Sequence, residues 1–279
     1  MPILSGRARL AGIAGWPVAH SRSPRIHGFW LDRHAIDGAY VPLPIHPDDF
    51  RAALRGLRAA GFAGVNVTIP HKLAAFDICD VVDDRARQAG AVNTITFHAD
   101  HIEGTNTDGI GFTAALREAG VDPGAGPALI LGAGGAARAV AAALLGCEIP
   151  VSIANRTRAR AMTLAGQLPN LGVIDWEERE QALARHALLV NATSLGMDGQ
   201  PPLAVDLRHA PSSLVVAETV YTPLETGLLA AARARGLRVV DGLGMLLHQA
   251  RPGFAAWFGV EPVVDAALRR FVLADLGAG

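Results

Sequence analysis

The amino-acid sequence predicts an α/β protein of two domains, the second of them built on a parallel sheet. Three observations carry this. An apolar run, Ala128 to Leu131, leads straight into a glycine-rich turn and an alanine-rich helix, Gly132 to Ala139. From Asp108 to about Val240, short apolar runs alternate with helical stretches, as parallel strands do when both faces of their sheet are covered. The length of 279 residues is close to that at which one core stops growing and a chain divides. Half of the residues are hydrophobic and 18% are charged, enough for a packed interior.

In the first part, strands are predicted near Leu10 to Gly15, Ala39 to Leu43, Ala63 to Thr68, Ala91 to Phe97 and Ile102 to Thr105. A helix from Pro47 to Ala60 opens on Pro, Asp48 and Asp49, favourable N-terminal residues. In GVNVTIPHK, Val65, Val67 and Ile69 alternate with Asn66 and Thr68, the pattern of a half-buried strand. Pro70 cannot continue a ladder, so Lys72 falls on a turn just past the strand end, held by a rigid element. A single such lysine reads as a solvated loop residue; three further polar clusters make it a candidate catalytic group. In HSRSP, Ser21 and Ser23 flank Arg22, and Ser23-Pro24 reads as a helix N-cap followed by its first residue. Two hydroxyls with free backbone N–H groups suit a carboxylate or phosphate. Between Gly90 and Phe112 lie Asn93-Thr94, Asn106-Thr107 and Asp108, with His98 to His101 as a hairpin turn. Asp108 also fits the N-cap of the helix that follows.

In the second part, parallel strands are predicted at Ala128 to Leu131, Val151 to Ala154, Val173 to Asp175, Leu188 to Asn191, Leu214 to Ala217 and Arg238 to Val240. Gly132, Gly134 and Ala137 form the G-x-G-x-x-A fingerprint of a dinucleotide site in its strand-turn-helix setting. Gly132 permits the tight turn, Gly134 lets backbone approach a pyrophosphate, and Ala137 lets helix and strand pack closely. The next strand ends at Asn155-Arg156-Thr157, with Arg158 and Arg160 beyond. An acidic residue there holds the ribose 2′-OH of NAD, whereas a guanidinium grips a 2′-phosphate. Arg156 and Arg160 share a face if Thr157 onward is helical. Cations at a helix N-terminus are unfavourable unless an anion joins them. The sequence therefore points to NADP as cofactor. The last part, Leu243 to Leu276, is predicted to be helical.

A net charge of −1, from 25 basic and 26 acidic side chains, argues against a nucleic-acid partner. The two cysteines, Cys79 and Cys147, give neither a disulfide framework nor metal-ligand spacing. The ten histidines are scattered and suggest no ligand pair, so no metal is predicted. His34 and His46 read as surface residues. The most membrane-like stretch, Gly126 to Ala154, is interrupted by Arg138, Glu148 and Pro150 and reads better as a buried βαβ unit. No apolar run of signal-peptide length follows Arg7 and Arg9, and the expected compartment is the cytoplasm.

Taken together, HSRSP (His20 to Pro24), NVTIPHK (Asn66 to Lys72), GAVNT (Gly90 to Thr94), NTDGIGF (Asn106 to Phe112), GAGGAAR (Gly132 to Arg138), NRTRAR (Asn155 to Arg160), NATSLGM (Asn191 to Met197) and GLGMLLHQA (Gly242 to Ala250) resemble the shikimate and quinate dehydrogenases over almost the whole chain. The resemblance implies a discontinuous α/β substrate domain, residues 1–107 and 243–279, around a Rossmann-like NADP-binding domain, residues 108–242. The junctions Thr107-Asp108 and Asp241-Gly242 would be hinges, and the ligand would occupy a cleft between the domains. It implies NADP-dependent reduction of 3-dehydroshikimate to shikimate in aromatic amino-acid biosynthesis, by a monomer or homodimer. Lys72 paired with Asp108 would manage the proton. Ser21 and Ser23, assisted by Tyr221, would hold the substrate carboxylate. Thr68, Asn93, Asp108 and Gln249 would bind ring hydroxyls. On the cofactor side it implies Gly132, Gly134, Gly135 and Ala136, then Asn155, Arg156, Thr157 and Arg160, with Thr193 past a strand end and Met245 approaching the nicotinamide. The alternatives are a quinate/shikimate dehydrogenase and a non-catalytic NADP-binding regulator on the same scaffold. Two residues depart from the family pattern: Gly28 stands in place of Asn, and Glu218 in place of Asp.

Overall fold

The computed structural model describes residues 3–276. The chain divides into two compact units, Met1–Thr107 with Gln249–Gly279, and Asp108–His248.

The first unit opens with β1 (Arg9–Gly15), α1 (Ser23–Arg33), β2 (Gly38–Pro44) and α2 (Phe50–Ala59). It continues through β3 (Gly64–Val67), α3 (Lys72–Ile78), β4 (Val81–Val82), α4 (Asp84–Ala89), β5 (Thr94–Phe97) and β6 (Ile102–Thr105). The sheet order is β2-β1-β3-β5-β6-β4. β1 is parallel to β2 and β3, while β5 is antiparallel to both β3 and β6. The carboxyl ends of β1, β3 and β6 and the amino end of β5 therefore lie along one edge of the sheet. Phe50, Leu54, Val65, Val67, Val92 and Ile95 form the core beneath it.

The second unit holds α5 (Asp108–Glu118), β7 (Ala128–Leu131), α6 (Gly135–Leu145), β8 (Val151–Ala154), α7 (Arg158–Gln167) and β9 (Leu171–Ile174). After α8 (Arg179–Ala182) come β10 (Leu188–Asn191), β11 (Val215–Glu218), α9 (Gly227–Ala234) and β12 (Arg238–Val240). The sheet is wholly parallel, in the order β12-β11-β10-β7-β8-β9. Counted from β7, this is the order 3-2-1-4-5-6 of dinucleotide-binding folds, with the switch between β7 and β10. Alternate residues feed two cores. Ala128, Ile130, Val151, Ile153 and Val190 belong to one, and Leu129, Leu131, Ala154 and Leu189 to the other. Burial on both faces explains why these strands read as unbroken apolar runs. The chain ends with α10 (Gly242–Phe258) and α11 (Ala266–Leu276).

The structure differs from the sequence reading in several places. The helix expected from Pro47 is a 3-10 turn over Pro47–Asp49 that runs into α2. The strand expected from Ala91 begins only at Thr94, because the N–H of Val92 is drawn to the carbonyl of Lys72. β3 is buried along its whole length, not half-buried, and Asn66 is inside. β9 starts at Leu171, and β4 had no sequence signal at its length. The division between units falls inside α10, after His248. Leu243 and Gly244 explain this: Leu243 N–H bonds Asp241 Oδ1 at 3.1 Å, and a Cβ on Gly244 would meet Ala115 of α5 at 2.9 Å. The histidines are not all scattered, since the rings of His98 and His101 stack with centroids 4.3 Å apart. His34 and His46 are exposed. No described helix is long and apolar enough to cross a membrane.

Candidate active site

In the first unit, Lys72 is the first residue of α3 and half-buried, one step further into regular structure than a turn. Its neighbour His71 holds the start of that helix in place. The His71 ring stacks on Phe50, centroids 4.3 Å apart, and its Nε2–H donates to the Ile45 carbonyl at 2.9 Å. A carbonyl only accepts, so this contact sets the tautomer. Burial pushes the His71 pKa down, partly offset by that hydrogen bond. A lysine at the positive end of a helix is electrostatically unfavourable, the mark of a position kept for something other than stability.

The backbone joins Lys72 to the next candidates. The Lys72 carbonyl accepts from Val92 N–H at 3.0 Å, and Val67 N–H donates to the Asn93 carbonyl at 2.8 Å. Asn93 is buried, and its Oδ1 accepts from Thr107 N–H at 2.9 Å, Thr107 Oγ1 at 3.2 Å and Thr94 Oγ1 at 3.0 Å. Three donors fix the orientation of its amide. Thr107 Oγ1 also lies 3.5 Å from Gln249 Oε1. Thr68 N–H bonds the Ala14 carbonyl at 2.9 Å, and an added Cβ on Gly15 would meet Thr68 Cγ2 at 2.5 Å. Thr68, Lys72, Asn93 and Gln249 are thus gathered at one edge of the sheet.

Ser21 and Ser23 sit past β1. Ser23 is not the N-cap: α1 starts at Ser23 itself, and Arg22 caps it without a side-chain hydrogen bond. Instead Ser21 Oγ accepts from Ser23 N–H at 3.3 Å, so the first serine takes the capping contact. Beside this loop lies an apolar recess of about 260 Å³ lined by Trp16, Pro17, Val18, Ala19, Pro42 and Pro44, which contains none of the polar candidates. At Gly28 an added Cβ would meet nothing within 4 Å.

Beneath the edge lies a network that sequence reasoning missed. Tyr40 OH donates to Asn66 Oδ1 at 2.6 Å, and Asn66 Nδ2 donates to Thr94 Oγ1 at 3.1 Å and to the Asn93 carbonyl at 3.3 Å. Burial pushes the Tyr40 phenol up and keeps it neutral. His27 stacks on Tyr40, centroids 3.9 Å apart, among Trp30, Phe254 and Trp257. Among the described residues, neither of its ring nitrogens has a hydrogen-bond partner. The available signal was Asn66 itself, an amide within an apolar strand, which has to find partners if it is buried.

In the second unit, Gly132 has φ +110°, and an added Cβ would lie 2.8 Å from the Ala192 carbonyl oxygen and 3.0 Å from Thr193 Cγ2. Only glycine fits there, between the β7 turn and the loop after β10. At Gly134 and Gly135 a Cβ would meet no protein atom, so packing does not demand glycine and the backbone there is open to the close approach of a ligand. Gly134 caps α6 without a side-chain hydrogen bond, which leaves the first-turn N–H groups, that of Ala136 among them, for an anion. Met245 packs in the same apolar cluster as Ala133 and Ala192. These features fit a dinucleotide at the switch point.

Asn155 Nδ2 donates to the Thr157 carbonyl at 2.9 Å, which shapes the turn after β8. Thr157 is the N-cap of α7, so Arg156 stands outside the helix and shares no helical face with Arg160. Both are exposed, and neither has an acidic partner among the described residues. Arg158 differs: it is paired with Asp175. Asp108, in the first turn of α5, is buried, and Tyr221 follows β11 just before the cis Thr222-Pro223 bond. Asp108 and Tyr221 belong to the second unit, Lys72 and the serines to the first.

Known proteins resemble the chain throughout. The shikimate dehydrogenase substrate binding domain matches residues 13–95, and the shikimate / quinate 5-dehydrogenase domain matches residues 122–196. A shikimate dehydrogenase (NADP(+)) of Acidiphilium cryptum is 65% identical over 274 residues, covering 98% of this chain and 99% of the relative. That of Rhodospirillum rubrum is 56% identical over 280 residues, covering 97% and 99%. A shikimate 5-dehydrogenase of Thermus thermophilus, solved with NADP(H) and shikimate, superposes with a TM-score of 0.87 at 36% identity, covering 96% of this chain and 99% of that one.

Proposed function

The chain belongs to the shikimate dehydrogenase family, and from that premise we propose that it catalyses the NADP-dependent, reversible reduction of 3-dehydroshikimate to shikimate, a step in aromatic amino-acid biosynthesis. The unit of Met1–Thr107 with Gln249–Gly279 is the substrate-binding domain of this reading, and that of Asp108–His248 binds the cofactor. The observation that carries this reading is the position of Lys72. It starts α3 just beyond β3, and its carbonyl holds the segment that carries Asn93.

Bound NADPH supplies the hydride, and the protein supplies orientation and the proton. A ketone that gains hydride becomes an alkoxide, and Lys72 donates a proton to that oxygen. In the reverse direction the Lys72 amine takes the proton from the substrate hydroxyl. Asp108 is the second catalytic group of this proposal. Ser21 and Ser23, with Tyr221, hold the carboxylate. Thr68, Asn93, Asp108 and Gln249 bind ring hydroxyls, and a site built to bond hydroxyls rejects analogues that lack them. Gly132, Gly134, Gly135 and Ala136 would hold the pyrophosphate at the start of α6, Thr193 would bind on the cofactor side, and Met245 would approach the nicotinamide. Asn155 and Thr157 shape the adenosine end, where Arg156 and Arg160 take the 2′-phosphate. The protein acts in the cytoplasm as a monomer or homodimer, without nucleic-acid or membrane partners.

Quinate is the second substrate to consider, because the matched domain is that of shikimate / quinate 5-dehydrogenases. The test is the absorbance of reduced nicotinamide with purified protein, NADP+ and shikimate, repeated with quinate and with NAD+. Shikimate with NADP+ is expected to turn over fastest. Faster turnover of quinate, or no turnover of either, would overturn the reading.

A further inference from the structure

We propose that the tip of the β5–β6 hairpin binds a divalent transition-metal ion of the zinc(II) class, through His98, His101 and Glu103. One ligand atom from each of the three lies within 4.8 Å of the others. His98 Nε2 is 2.9 Å from Glu103 Oε2. The imidazole rings of His98 and His101 stack at 11°, with their centroids 4.3 Å apart.

The backbone explains the convergence. Phe97 pairs with Ile102, and His98 N–H donates to the His101 carbonyl at 2.9 Å, closing a tight turn. Side chains alternate between faces along a strand. His101 and Glu103 therefore share a face, with His98 opposite His101. Arg58 pins the tip from outside: its Nε donates to the His98 carbonyl at 3.1 Å and its Nη2 to the Ala99 carbonyl at 2.6 Å. Its guanidinium thus faces backbone carbonyls, while Asp100 and Glu103 bring two carboxylates to the hairpin tip.

His101 also has the supporting contact that metal-bound imidazoles have. Its Nδ1 is 2.8 Å from Asp100 Oδ1, so Nδ1 carries the proton and Nε2 is left as the ligand atom. A tetrahedral zinc site with Zn–N of about 2.0–2.1 Å needs ligand atoms about 3.3 Å apart. The ion takes the place of the proton between His98 and Glu103, which moves to His98 Nδ1, and water completes the tetrahedron. Two imidazoles and one carboxylate suit zinc or copper(II), while calcium and magnesium take oxygen ligands. The site is independent of the proposed dehydrogenase chemistry.

Titration calorimetry of metal-free, full-length protein with zinc chloride tests this. One ion per chain is expected, with micromolar affinity. The double variant His98→Ala/His101→Ala is expected to abolish that binding, and Asp100→Asn to weaken it about 10-fold. His46→Ala, at a separate exposed histidine–carboxylate contact, is expected to leave it unchanged. If the double variant misfolds, Glu103→Gln and Asp100→Asn decide, each expected to weaken binding about 10-fold or more. No saturable binding to the wild-type protein, or variants that bind zinc as the wild type does, would overturn the proposal.

Discussion

Asn191 directs its Nδ2 at both carboxylate oxygens of Glu218, at 3.1 and 2.9 Å, and both side chains are buried. The contact orders the loop after β10, because Asn191 Oδ1 in turn accepts from Thr193 N–H at 3.0 Å and Thr193 Oγ1 at 2.7 Å. Thr226 Oγ1 donates to Glu218 Oε1 at 2.8 Å, which also ties in the start of α9. Glu218, opposite Asn191 on the neighbouring β11, thus supports the candidate cofactor loop after β10.

Glu218 makes stability depend on pH. Burial pushes its carboxyl up to about 7, against hydrogen bonds from Asn191, Thr226 and backbone N–H groups that pull it down. The folded value lies above the unfolded one, so the folded chain keeps this proton to higher pH. The stability it contributes is present below about pH 4.5 and lost as pH rises through 7. Between pH 5 and pH 8 that is about 2.5 kcal/mol. Glu218→Gln cannot titrate, so urea unfolding of the variant is expected to gain about that much on the wild type over this range. Parallel pH profiles for the two proteins would contradict the assignment.

His27 acts in the opposite direction. Burial pushes its pKa down to about 3, and Asn66 nearby opposes this only in part. The folded chain keeps the ring neutral while the unfolded chain protonates it. Stability is therefore lost as pH falls below about 6.5, by about 4 kcal/mol at pH 3. His27→Phe keeps an aromatic ring and removes two unpartnered buried nitrogens. It is expected to stay within about 1.5 kcal/mol of wild type at pH 7 and to resist acid better. A variant with the wild-type acid limb in its unfolding profile would show that another group is responsible.

Arg156 is exposed, lacks an acidic partner among the described residues, and stands where an NAD site has a carboxylate. Arg156→Ala is expected to weaken NADP by roughly 1.5–3 kcal/mol, the loss of one charge-assisted contact, and to leave NAD nearly unchanged. The KM values for both cofactors measure this. An unchanged NADP-to-NAD ratio would remove Arg156 from the specificity argument.

The parts of the molecule legible in the sequence are those set by local rules. The strands of the second unit, the turn at Gly132 and the hairpin at His98 to His101 follow from apolar runs, glycine and alternation. Lys72, Thr68 and Asn93 were identifiable as candidates because each borders a strand end rich in polar residues. The misreadings arose where a partner distant in sequence decides. Ser23 looked like a cap, but Ser21 Oγ competes for its N–H. Asn66 looked like an outward residue, but Tyr40, on the far side of β1 in the sheet, supplies its partner. His98 and His101 looked unrelated to Glu103 until strand register set all three on one face. The unit boundary inside α10 depends on Ala115 and Val220, which no helical pattern announces.

The central claim is that Lys72 moves the proton of the reaction, and the kcat of Lys72→Ala tests it most directly. Steady-state oxidation of shikimate with NADP+ is predicted to show kcat lowered by about 10²–10⁴ with a modest change in KM, as expected of a group that acts mainly in the transition state. A Lys72→Ala enzyme that turns over at the wild-type kcat while its KM rises would contradict the account and leave Lys72 as a substrate anchor.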